Sequence, residues 1–239
     1  MKLSQRLQAI ADLVPENTVV GDVGTDHGYI PVYLVQNNIT DRVIATDINR
    51  GPIENAKKTI LMYNLTKYIE TRLGSGLKPF KPNEINTVII AGMGGLLIKK
   101  ILEESIDVVK TIDTFILQPM VAQDELRKWL VNHGFKIVNE KLAREGDKIY
   151  EILVVNKGKM NIEDDIYFEI GKRLVENKDV LLSDFIDTKI KKYTEILKMV
   201  EGIPFTENKK TIMKNELLAN KTGVAFQLAN LVQLRNTSR

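Results

Sequence analysis

The sequence predicts an α/β protein: a mostly parallel, seven-stranded sheet wrapped by helices, with a helical appendage following it. Three observations lead there. Short apolar, β-branched runs alternate with helical patterns as far as residue 134, the rhythm of parallel strands joined by helical crossovers. Two more strand-like runs follow with a gap too short for a helix, so they must pair antiparallel. From about residue 161 the strand pattern stops, and apolar residues recur at helical spacing. The predicted domains are 1–157, which carries the sheet, and 158–239, which is helical.

Each element has its own signal. An amphipathic stretch over about 3–14 is the first helix, and 18–22 is the first strand. A helix over 28–37 leads to a second strand at 42–47 (RVIATD). Residues 49–64 are helical, with Pro52 near the first turn, where its missing N–H costs nothing. Ile69–Leu73 and 87–91 (TVIIA) are the third and fourth strands, 94–109 is a helix, and 114–117 is the fifth strand. A helix over 121–132 is stopped by Gly134. The hairpin pairs 135–142 with 148–155. Beyond it, Leu182, Ile186, Ile190, Tyr193, Leu197 and Val200 form one helical stripe within 179–200. Met213, Leu217, Val224, Leu228, Leu231 and Leu234 form a second. Gly202 and Pro204 separate the two, which predicts an antiparallel pair.

Composition excludes several classes. The chain is 44% apolar and 27% charged, the balance of a globular protein. It contains no cysteine, hence no disulfide framework and no thiolate nucleophile. Its two histidines lie far apart, so no zinc or other metal is expected. Arg6 and Asp12 interrupt the opening stretch, unlike the apolar core of a signal peptide. No apolar run approaches the ~20 residues that span a bilayer. A soluble cytoplasmic protein, away from membranes and by default a monomer, is the expectation. Residues 1–156 hold 19 basic and 19 acidic side chains, and 157–239 hold 15 and 12, so the whole net charge of +3 lies in the last third.

The chemistry gathers at the strand ends. The first strand runs into Gly21-Asp22-Val23-Gly24-Thr25-Asp26-His27-Gly28. A glycine-bearing loop before a helix lets backbone approach a ligand, and the helix start offers free N–H groups. Asp26 stands where a dinucleotide loop would carry a glycine. Two carboxylates suit a pyrophosphate poorly and suit a ligand with a sulfonium and an ammonium group, which favours S-adenosylmethionine over a nicotinamide cofactor. Asp47 ends the second strand, where a carboxylate accepts both hydroxyls of a ribose, with Ile48 beside it. Gly74-Ser75-Gly76-Leu77 follows the third strand, where backbone and an apolar side chain would meet an adenine ring. Ala91-Gly92-Met93-Gly94-Gly95 follows the fourth and leaves an open floor for a flat substrate.

GDVGTDHGYIP, ATDIN, RGPIENA, GSGL and AGMGG together resemble the bacterial tRNA (adenine-22-N1)-methyltransferases. LSQRLQAIADLVP and ILQP are similar to that family too. The resemblance is close over about 3–156 and extends to the C-terminal helices in general plan. It implies a class I S-adenosylmethionine-dependent, Rossmann-like catalytic domain, a coiled-coil-like helical domain, and 1-methyladenosine formation in tRNA. It further implies cofactor contacts from Asp22, Gly24, Thr25, Asp26, His27, Gly28, Asp47, Ile48, Ser75, Gly76, Leu77, Ala91, Gly92, Met93 and Gly94. Two positions depart from the family pattern: Gly28 stands in place of alanine, and Met120 in place of asparagine.

Adenine N1 carries an in-plane lone pair, so the chain's task is alignment of N1, methyl carbon and sulfur. His27 and Tyr29 would stack on or hydrogen-bond the base, and Gln118 would bond its edge. The alternative is methylation of a small molecule or a protein. Lys189, Lys191 and Lys192 flank the first long stripe, and Lys209, Lys210 and Lys214 open the second, where tRNA phosphates would bind.

Overall fold

Alternation of buried β-branched residues builds the sheet. In a computed structural model, which describes residues 1–201 together with 230, 233 and 234, the strands are β1 (Val20–Val23), β2 (Val43–Asp47), β3 (Ile69–Leu73), β4 (Thr87–Met93), β5 (Thr114–Pro119), β6 (Phe135–Glu145) and β7 (Lys148–Lys157). Their order is β3-β2-β1-β4-β5-β7-β6. The first five pair in parallel, while β7 runs antiparallel to both β5 and β6. The helices between them are α1 (Gln5–Ala11), α2 (Tyr29–Gln36), α3 (Arg50–Met62), α4 (Gly95–Glu103), α5 (Ile106–Val109) and α6 (Gln123–Asn132).

Because successive strand residues point to opposite faces, each strand feeds two cores. Ile44, Val88, Ile90, Phe115 and Leu117 pack with Ile98, Leu102, Leu126 and Trp129 of α4 and α6. Val43, Ala45, Ile89 and Ile116 pack with Ile10, Ile30, Leu34 and Ile60 of α1, α2 and α3. Helices thus cover both faces of the sheet. One ionic cluster sits inside this apolar frame. Arg127 of α6 bonds Glu140 of β6 at 2.8 Å and Glu151 of β7 at 2.6 Å, all three side chains being buried.

Three details differ from the sequence expectation. The helix expected over 94–109 is broken, because Glu104 caps α4 and Ser105 leaves helical geometry to open α5. β4 continues through Gly92 and Met93 with an irregular register opposite β5, since glycine hides a strand from pattern reading. The hairpin strands run right up to the turn at Gly146-Asp147.

The chain divides into two compact units, Met1–Glu163 and Asp164–Arg239. The second contains α7 (Ile166–Ile170) and α8 (Lys172–Glu176), neither expected, and α9 (Leu182–Glu201). Leu182 and Ile186 of the first stripe are buried, joined by Phe185. The side chains of Leu197 and Val200, nearly all of the second stripe, and Lys209, Lys210 and Lys214 lie outside the described residues.

Candidate active site

In an open parallel sheet a ligand crevice forms where successive crossovers depart in opposite directions. Here β1 lies between β2 and β4, so that point falls at the carboxyl ends of β1 and β4. A cleft of about 380 Å³ opens there, lined by Arg6, Leu7, residues 22–30, Ala91 and Gly92. Further depressions, lined by residues such as Asn17, Asp41, Leu65 and Tyr68, sit at the amino ends of the strands, away from these groups.

The 22–30 loop is clamped to the neighbouring strand. The N–H groups of Gly24 and Thr25 both donate to the Thr46 carbonyl, at 2.8 and 2.9 Å. Gly28 then caps α2 in the left-handed conformation, φ 68°. A Cβ at Gly28 would be strained by that φ and would stand 3.3 Å from the Cβ of Ala56. Asp22 is buried at the base of the loop, and its carboxyl pKa is pushed up to about 6. Loss of hydration is the main cause, the charge of Asp47 adds to it, and a hydrogen bond with the Thr25 side chain opposes both. Asp26 is exposed, with His27 Nε2 3.3 Å from its Oδ2. The His27 and Tyr29 rings stack with centroids 5.0 Å apart.

The AGMGG segment forms the opposite wall. Gly92 lines the cleft, and no neighbour lies within 4 Å of where its Cβ would be. The Met93 side chain reaches across to the Gly24 loop and touches the position a Gly24 Cβ would take, so the floor is partly filled. Gly94 precedes α4 in extended geometry. Gly95 packs directly on the carbonyl of Ala122, leaving no room for a side chain.

Two expectations need correction. Gln118 is fully buried, with its Oε1 accepting from Arg6 Nη1 at 2.8 Å and from the Gly92 N–H at 3.1 Å. Its Nε2 donates to the Pro119 carbonyl at 3.1 Å and lies 3.5 Å from Met120 Sδ. With its donors and acceptor occupied, it braces the floor and does not present an edge to a base. The Leu77 side chain is likewise buried, in the core with Phe80 and Ile85, so only backbone there can face a ligand.

Arg6 is the site residue that the sequence reading missed. Its guanidinium bonds Glu145 at 3.2 Å and Gln118, and lies 5.3 Å from the Tyr150 ring centroid. An arginine interrupting an apolar helix face was the one available signal.

Asp47, Ile48, Ser75 and Gly76 lie along the same sheet edge, beyond the cleft itself. Asp47 pairs with Leu73 in register, and its carbonyl accepts the Gly74 N–H at 2.9 Å. One Asp47 carboxylate oxygen accepts the Asn49 N–H at 2.7 Å, and Ile48 is exposed.

Known proteins share this architecture. A family model described as a methyltransferase domain matches residues 3–153. Over 158 residues the chain is 38% identical to the tRNA (adenine(22)-N(1))-methyltransferase of Bacillus subtilis (strain 168), covering 66% of this chain and 66% of that protein. The crystal structure of the B. subtilis m1A22 tRNA methyltransferase TrmK superposes with a TM-score of 0.85 at 29% identity, over 98% of this chain and 99% of that one. M. capricolum TrmK in complex with S-adenosyl-homocysteine superposes with a TM-score of 0.81 at 30% identity, over 100% of both chains.

Proposed function

The chain belongs to the methyltransferase-domain family, among the tRNA (adenine-22-N1)-methyltransferases, and from that premise we propose that it methylates N1 of adenine 22 in cytoplasmic tRNA. S-adenosylmethionine, when bound, supplies an electrophilic methyl group on a cationic sulfur.

Buried Asp22 is the observation that carries the reading. A carboxylate held in a cleft at the cost of its hydration is stabilised by an incoming cation, and the ammonium of the methionyl group fits that role. Arg6 lines the same cleft and supplies a cation for the methionyl carboxylate. Asp47 receives the ribose with the carboxylate oxygen not bonded to Asn49. The backbone at Ser75 and Gly76, with exposed Ile48, borders the adenine of the cofactor. Gly24, Thr25, Asp26 and Gly28 shape the loop around the methionyl group.

Gly92, with Ala91 and Gly94 beside it, leaves space for the substrate ring to approach in plane, while Met93 closes part of the floor. The stacked His27–Tyr29 pair offers an aromatic face beside it. No proton has to leave N1 before attack, so these residues work by alignment and exclusion of water. No general base is required.

The second unit is proposed to hold tRNA. Lys191 and Lys192 of α9 are exposed and suit phosphate contacts. Lys189 is half-buried and pairs with Glu169 at 3.6 Å.

The test is incubation of the protein with unmodified tRNA and S-adenosylmethionine, followed by nuclease digestion and mass mapping. The expected product is 1-methyladenosine at position 22. Methyl at another nucleotide, or none, rejects the assignment.

A further inference from the structure

Methylation at N1, on which this inference rests, constrains how the substrate must arrive. N1 lies on the Watson–Crick edge of adenine, and stacking covers both ring faces in folded RNA. A cleft of about 380 Å³ is too small to take in a helix. The target adenine must therefore leave its stack, and its neighbours then lose a partner.

Beside the cleft floor stands an apolar rim. Leu96, Leu97, Met120 and Val121 are 59%, 49%, 39% and 63% exposed. Met120 and Val121 form the β5–α6 turn and Leu96 and Leu97 lie in the first turn of α4, and the two are tied together: Met120 N–H donates to the Met93 carbonyl and Gly95 N–H to the Val121 carbonyl, both at 2.8 Å. Ala122 takes a left-handed φ of 55°, uncommon for a residue with a side chain. Scattered exposed apolar residues are ordinary. Four of them on two bonded turns, continuous with the segment that lines the cleft, make a surface.

We propose that Met120 and Val121, backed by Leu96 and Leu97, are a wedge that stacks on the RNA bases flanking the extruded adenine. Apolar side chains inserted at a base step are a general means of unstacking it. A thioether and a branched aliphatic group cover a base face without reading its identity. The wedge thereby replaces the contacts that the departing adenine gave its neighbours, and holds the open state while Gly92 faces the ring.

The test uses the full chain with Met120→Ser and Val121→Ser combined, against tRNA and against tRNA carrying 2-aminopurine at the target position. The fluorescence of 2-aminopurine rises when it leaves the stack. Wild type should methylate tRNA and raise the fluorescence on binding in the presence of S-adenosylhomocysteine. The double variant should lose at least about tenfold in kcat/KM and most of the fluorescence rise, with the same Tm and S-adenosylmethionine affinity within about twofold. Met62→Ser, an exposed apolar position at the far end of α3, should change neither readout. Unchanged kcat/KM in the double variant overturns the wedge, as does lost turnover with the fluorescence rise intact. A wild type that places no methyl on adenine N1 overturns the reading beneath it.

Discussion

At Asp22 one carboxyl group couples burial to ligand choice. Its folded-state pKa of about 6 lies above its ordinary value of 3.8. In the free protein that preference for the neutral acid favours folding fully below pH 3.8, and the benefit is lost as pH rises through about 6. Binding of an ammonium group runs the other way, because it needs the ionised form. Affinity for S-adenosylmethionine should fall about tenfold between pH 7 and pH 5, and Asp22→Asn should bind weakly with a flat profile. Calorimetric titration across that range checks this, and a flat wild-type profile would remove Asp22 from the ligand site. Asp47→Ala should weaken binding by about 1.5–3 kcal/mol, the loss of charged hydrogen bonds. Unchanged affinity in the folded variant would exclude a ribose contact. Such residues are legible in a sequence because loop and strand end are contiguous. Arg6 was not, because only tertiary packing brings α1 to Gln118. The same packing makes Gln118 a brace, and a side chain's remaining hydrogen-bond capacity cannot be read from its neighbours in sequence.

Among the elements, the β4–α4 turn divides into a glycine for packing and a glycine for access. Gly95 touches the Ala122 carbonyl, whereas Gly92 faces open space. Gly95→Ala should therefore lower Tm by several degrees, as an overpacked site costing about 1–3 kcal/mol does. Gly92→Ala should lower Tm less, the cost being the left-handed backbone alone, about 1–2 kcal/mol, and should reduce turnover more than tenfold. Thermal melts and initial rates separate the two, and a Gly92 variant with full turnover would show that the floor is not used. The α6–hairpin junction makes a different demand. Arg127→Ala leaves Glu140 and Glu151 buried without its charge and should cost about 3–5 kcal/mol in urea unfolding. A loss under 1 kcal/mol would mean that water reaches the pair. The helix and strand types were legible from periodicity. Break points such as Ser105, and the extension of β4 through glycine, were not, because local conformation there depends on the opposite strand.

For the whole molecule, the alternation of strands and helices reveals the parallel half of the sheet, and the short gap at Gly146-Asp147 reveals the hairpin. The position of β7 inside β6 follows from neither. It depends on which hairpin face completes the two cores, a non-local quantity. The division into units Met1–Glu163 and Asp164–Arg239 carries its own expectation. A protein ending at Glu163 should bind S-adenosylmethionine within about threefold of the full chain and lose most tRNA affinity, together with several units of salt-dependence slope, if phosphate contacts reside in the second unit. Filter binding at several salt concentrations measures this. Equal affinity and slope in the shortened protein would assign RNA binding to the first unit.

The order β5-β7-β6 also has a consequence for the chain as it is made. β6 leaves the ribosome before β7, yet its place in the sheet is beyond β7. Until residue 157 has emerged, β5 keeps a bare backbone edge and β6 has no partner to hold it. Both are templates for pairing with another chain. Closing the hairpin on itself before docking shields both edges, and its two-residue turn makes that local event fast. Arg127 of α6 meets one carboxylate from each arm of the closed hairpin, Glu140 and Glu151. The buried ion triad thus ties α6 to both arms at once, a contact that exists only when β6 and β7 are both in place.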